Sequence, residues 1–76
     1  MDINSFIDNF KSQLENDTFI IEADTDFVKA EFWDSLTNMV ITVMLDDDYN
    51  IQMSSEELNS FGSVQELYDF VQSKQQ

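Results

Sequence analysis

The chain has 76 residues, sixteen of them Asp or Glu against three Lys, with no Arg, His or Cys and a formal net charge of -13. That balance argues against nucleic acid and anionic membranes as partners, since phosphate contacts need clustered cations. The missing Cys excludes disulfides, zinc–thiolate sites and cysteine nucleophiles. Without His or Cys, no Ser-His or Cys-His couple can be assembled, so the chain is not expected to be an enzyme. An apolar fraction of 42%, including seven Phe, supports a folded core rather than an acidic tail.

Residues 2 to 15 place Ile3, Phe6, Ile7, Phe10 and Leu14 at helical spacing, opposite Asp8, Lys11 and Glu15, and predict an amphipathic first helix capped by Asp2. From Asn16 to Trp33 neither helical nor strand period persists. This stretch reads as a long loop tacked to the core by Phe19, Ile20, Ile21, Phe27, Phe32 and Trp33. A second helix is predicted from Asp34 or Ser35 through Tyr49, with Asp34 as its N-cap. Leu36, Met39, Val40, Ile41, Val43, Met44 and Leu45 cover most of its circumference. Most of these are expected in the core, and the alternative is a malleable pocket walled by Met39, Met44 and Met53.

Ser54 with Glu57, and Ser63 with Glu66, have the spacing of capping boxes. The first opens a short helix ending near Phe61 and Gly62; the second opens a last helix striped with Val64, Leu67, Tyr68 and Val71. Residues 73–76 read as a frayed end. The expected architecture is all-α: one domain over residues 1–76, a bundle of three main helices plus one short helix, with a long loop between helices 1 and 2. No apolar run approaches the roughly 20 residues of a membrane span, and Met1-Asp2-Ile3-Asn4 lacks the basic start of a signal peptide. A cytoplasmic monomer is expected.

Asp34-Ser35-Leu36 stands out because it lies where the long loop meets the apolar second helix. A phosphodiester on the Ser35 hydroxyl would face unpaired backbone N–H groups and the positive helix end, a favourable interaction of about 0.3–1 kcal/mol at an exposed site. From Asp34 to Val71 the stretch DSLTNMVITVMLDDDYNIQMSSEELNSFGSVQELYDFV holds, in order, the DSL triplet, the apolar helix, an acidic helix end with an aromatic, a short EEL helix and an amphipathic last helix. In this it resembles the acyl carrier protein family, without a gap over about half the chain.

The resemblance implies that a phosphopantetheinyl transferase attaches 4'-phosphopantetheine to Ser35, making a phosphoprotein whose arm carries acyl or aminoacyl groups as thioesters. It also implies that Asp34 contributes to recognition by that transferase and its magnesium ion. Leu36 would dock on partner enzymes, while Asp46, Asp47 and Asp48 would meet basic patches on acyl-loading and acyl-transfer enzymes. The chain departs from the pattern as well. Phe32 stands where a Gly is common, Trp33 precedes the motif, and Thr37 and Val40 occupy positions often acidic in fatty-acid carriers. A less charged, more apolar partner surface around Leu36 and Val40 points to dedicated partners in a specialised pathway.

Three other readings share these residues. Asp46, Asp48, Asn50, Gln52, Ser54 and Glu57 fall at positions 1, 3, 5, 7, 9 and 12 of an EF-hand calcium loop, although position 6 holds Ile51 where a Gly is needed. A D-alanyl or peptidyl carrier would use the same fold and the same serine. An interaction domain with no prosthetic arm would keep the bundle alone.

Overall fold

A computed structural model describes residues 2–14 and 19–75. Among them lie four α-helices, α1 (Ile3–Ser12), α2 (Ser35–Tyr49), α3 (Ser55–Leu58) and α4 (Val64–Lys74), with a single 3₁₀ turn at Phe27–Lys29. The all-α architecture is as expected. Glu15 of the predicted first helix, and Asn16 to Thr18 of the predicted loop, lie outside the described residues.

Every α-helix begins with the same local device. The Asp2 carboxylate accepts from the Ser5 amide at 2.8 Å and that of Asp34 from the Thr37 amide at 2.8 Å. The Ser54 and Ser63 hydroxyls accept from the amides of Glu57 and Glu66 at 3.0 and 3.2 Å. Each satisfies one of the donors that a helix start leaves without an intrahelical partner. The amides of Thr37 and Ser5 hold the Asp34 and Asp2 carboxyls below the ordinary aspartate range. At its far end, α2 stops because Asn50 turns left-handed (φ 57°, ψ 40°). The Asn50 and Ile51 amides then reach back to the carbonyls of Asp46 and Leu45 at 3.1 and 3.0 Å.

The core gathers one face of each longer helix. Phe6 and Phe10 from α1, Ile41 and Leu45 from α2, Leu58 from α3, and Val64, Leu67 and Val71 from α4 are fully buried. Each contributes about 1.5–3 kcal/mol through the apolar surface it removes from water. Phe27 joins them from the connection between α1 and α2 and is the anchor of that segment. Its ring lies 5.5 Å from Phe10 and 4.9 Å from Trp33, both edge-on, while Trp33 stacks over Phe10 at 6.4 Å. Phe19 meets Phe32 at 5.2 Å.

Four expectations need correction. Ile20 does not tack the loop down: it is 78% exposed, and the adjacent Ile21 is buried in its place. The apolar surplus of α2 is not mostly core either. Ile41, Met44 and Leu45 are buried and Val40 is half-buried, but Leu36, Met39 and Val43 are each more than half exposed. The three-methionine pocket does not form, since Met39 faces solvent while Met44 is 3% exposed inside the core. The last helix also outlasts its predicted frayed end, running through Lys74, because the Gln75 side-chain amide donates to the Tyr49 carbonyl at the end of α2.

Asn38 is the buried polar side chain of the α2–α3 contact. Its amide nitrogen donates to the Ser55 carbonyl at 3.1 Å and to the Asn59 side-chain oxygen at 3.0 Å, and that oxygen also accepts from the Trp33 indole at 2.8 Å. Burying a polar group without partners costs about 1–3 kcal/mol, so this arrangement removes a penalty as it fixes the loop before α2. The same loop supplies the Thr25 and Ala23 carbonyls to the Val64 and Gln65 amides at the start of α4, at 3.0 and 2.8 Å.

Candidate functional site

Ser35 is the first residue of α2 and is exposed, with Asp34 immediately outside the helix as its cap. The Asp34 carboxylate turns inward to the Thr37 amide, and the Thr37 hydroxyl ties back to the Phe32 carbonyl at 2.9 Å. The chain entering the helix is thus held on both sides of the serine. The Ser35 and Leu36 amides stand in the first turn, where backbone N–H groups have no intrahelical acceptor and the helix dipole is positive. An exposed hydroxyl beside these donors fits the attachment of an anionic phosphodiester.

A groove of about 390 Å³ opens beside the serine, lined by both of its chain neighbours, Asp34 and Leu36, with Thr37 and Val40 from α2. Its opposite wall comes from Gln13 and Leu14 after α1 and from Phe19, Glu31 and Phe32 of the connection. The structure therefore brings together Asp34, Ser35, Leu36 and Val40 among the residues singled out from sequence. Asp46 and Asp47 are set apart, about 16 Å further along the helix axis at 1.5 Å per residue.

Between these ends, α2 presents one exposed face. Leu36, Met39 and Val43 share it at helical spacing and are 54%, 55% and 53% exposed. No charged residue occurs from Ser35 to Leu45. The acidic end is itself divided. Asp46, Asp47 and Asp48 are all exposed, but Asp48 also accepts from the Asn9 side-chain amide at 2.9 Å, which ties α1 to α2.

The calcium-loop reading fails on backbone geometry. Asp46 and Asp48 belong to α2, so the first third of the supposed loop is helix, and the left-handed residue is Asn50 at position 5 rather than a residue at position 6. Among the described residues no group of three or more acidic side chains is disposed to hold a metal ion.

Sequence reasoning missed the wall opposite α2. Leu14 read as helix core and Phe19 and Phe32 as loop anchors; Glu31 carried no signal at all. One clue was present: a Phe at position 32, where carriers commonly have Gly, puts a large side chain next to the serine.

Comparison with known proteins decides the family. The phosphopantetheine attachment site family model matches residues 5–71. The chain belongs to the acyl carrier protein family. It is 34% identical over 61 residues, 80% of this chain and 70% of the relative, to the polyketide-8 synthase acyl carrier protein 2 of Streptomyces avermitilis. No solved structure matches it. Members of this family are carriers rather than catalysts, take a covalent 4'-phosphopantetheine, and work with phosphopantetheinyl transferases and biosynthetic enzymes. The match runs through both walls of the groove and through all four helices. No helix among the described residues is long and apolar enough to cross a membrane.

Proposed function

We propose that Ser35 is the attachment residue and that the protein, a single domain acting as a monomer in the cytoplasm, carries acyl or aminoacyl intermediates for a specialised biosynthetic pathway. The observation that carries this reading is the position of Ser35, exposed at the first turn of α2, within the family match and beside an open groove. In the attachment step the Ser35 hydroxyl oxygen forms a phosphodiester bond as the pyrophosphate bond of coenzyme A breaks. Adenosine 3',5'-bisphosphate leaves, and the hydroxyl proton passes to the transferase. When bound, the arm supplies a terminal thiol on which cargo is held as a thioester, which this Cys-free chain does not itself provide.

The charged neighbour of Ser35 in the chain is Asp34, whose carboxylate is of the wrong sign for a phosphodiester. Asp34 would help to hold a cation brought by the transferase, its magnesium ion, whose charge would offset that of the phosphate, which gives Asp34 a recognition role beyond capping. The exposed Leu36, with Val40 beside it, supports docking through apolar contact, and Asp46 and Asp47 support steering of basic patches at the far end. The name of the Streptomyces relative favours polyketide-type acyl intermediates. A D-alanyl or peptidyl cargo would use the same serine.

Incubation with a broad-specificity transferase and coenzyme A, followed by intact mass spectrometry, tests the assignment. One arm is expected on the wild type and none on Ser35→Ala. A wild type that stays unmodified, or an S35A variant that takes up the arm, refutes it.

A further inference from the structure

Trp33 and Asn38, which bracket Ser35 in the chain, converge on one atom. The Trp33 indole nitrogen donates to the Asn59 side-chain oxygen at 2.8 Å, and the Asn38 side-chain nitrogen donates to that same oxygen at 3.0 Å. An indole N–H can only donate, so the Asn59 amide must present its oxygen here and its orientation is set by its partners. Asn59 is itself held in place. It is the C-cap of α3, next to the fully buried Leu58, and its backbone amide donates to the Ser55 carbonyl at 3.1 Å.

These bonds and the local ones hold different things. The Asp34 carboxylate on the Thr37 amide, and the Thr37 hydroxyl on the Phe32 carbonyl, shape the first turn of α2 from within residues 32–37. Asn59 ties that turn, and the residue leading into it, to α3 across 21 and 26 residues of chain.

We infer that Asn59 is a positioning residue for the modification of Ser35: through Trp33 and Asn38 it presents the serine to the phosphopantetheinyl transferase in an already ordered setting. The inference rests on Ser35 being the attachment residue. Without the Asn59 oxygen, α2 keeps its cap, but the segment before it samples more arrangements and the transferase binds only the fraction that matches. The apparent affinity falls by that fraction. Once bound, the hydroxyl meets coenzyme A in the same geometry, because the Asp34 cap that shapes the first turn is intact. The loss therefore falls on KM and spares kcat, the pattern of binding that is uniform between ground state and transition state.

The test varies the concentration of the carrier with a broad-specificity transferase and saturating coenzyme A, at a temperature where circular dichroism shows every variant fully folded. Asn59→Ala is expected to raise KM for the carrier about fivefold with kcat changed less than about twofold, the effect of leaving a side chain to be ordered on binding. Asn59→Asp keeps an acceptor oxygen and is expected to restore KM. Val71→Ala, a truncation in the core face of α4, controls for lost stability and is expected to keep the wild-type KM. Trp33→Phe removes the indole donor and keeps a ring. It is expected to raise KM as well, and the double variant to be no worse than Asn59→Ala, because both changes cut one bond. A wild-type KM in folded Asn59→Ala overturns the inference, as does an equal rise in Val71→Ala. Effects of Trp33→Phe and Asn59→Ala that multiply also overturn it, since they would mean that each side chain touches the transferase independently. A wild type that takes up no arm, or a Ser35→Ala variant that does, is a different result, visible in the mass spectrum: it refutes the attachment assignment of Ser35 and this inference with it.

Discussion

The two ends of α2 both look functional as text, and the structure treats them differently. At the first end Asp34-Ser35-Leu36 marks an exposed hydroxyl at a helix start, with a groove beside it. At the second end Asp46 to Glu57 has the spacing of a calcium loop, yet its first aspartates are wound into helix and one of them is bonded to Asn9. Spacing counts residues, whereas ligation needs a backbone that turns the ligands inward. The DSL end needs only a helix start, which Asp34 supplies locally. The acidic end would need a loop, and α2 runs through it.

The sharpest way to break this contrast is to measure both chemistries on one sample. Calcium titration by calorimetry is expected to give no micromolar binding on a protein that takes up the arm at Ser35 completely. Micromolar calcium affinity would restore the second end as a site. The largest expected stability effect lies under the first end. Phe10→Ala removes the ring on which Phe27, Phe32 and Trp33 converge and is expected to cost about 3–5 kcal/mol in urea denaturation. A loss that large would unfold most molecules of a domain this small, so Phe10→Leu serves as a milder second variant.

Asn59→Ala is the intermediate case. It takes the shared acceptor away from the Trp33 indole and from the Asn38 amide while leaving Asn38 its bond to Ser55. A loss of about 1–2 kcal/mol is expected, with a change in Trp33 emission as the loop before Ser35 loosens. Unchanged emission would mean that the aromatic stack alone holds the loop.

The smallest effect is electrostatic. Asp34 has its pKa lowered in the folded state, so its stabilisation is present above the ordinary aspartate value of 3.8 and is lost as pH falls through the lower folded value. The difference in stability between wild type and Asp34→Asn is therefore expected to shrink as pH is lowered below about 3.8, measured by paired urea melts. Comparing the pair at each pH cancels the general relief of acidic self-repulsion in both proteins. A difference that grows on acidification would contradict the capping geometry.

Much of the fold could be read because its signals are local. Asp2, Asp34, Ser54 and Ser63 each sit three residues before an amide that they accept from, and the start and end of α2 follow from its sequence alone. What escaped depends on residues far apart in the chain. Ile20 and Ile21 are chemically alike, and only the path of the loop decides which is buried. Lys74 stays helical because Gln75 finds Tyr49. At the site, the triplet pointed to Ser35 from neighbouring residues, but the groove needed Leu14, Phe19 and Glu31 to be brought opposite α2, and no short window contains both walls.

The carbonyls of Ala23 and Thr25, which receive the first amides of α4, have a consequence for the order of events during folding. Helix α4 can wind early on local contacts, but its first turn acquires those acceptors only after the connection has folded back across some forty residues of chain, a slow, entropically costly closure. Solvent exchange at the Val64 and Gln65 amides should therefore track excursions of that connection, separately from complete unfolding. The start of the last helix becomes a clock for the loop that leads into Ser35.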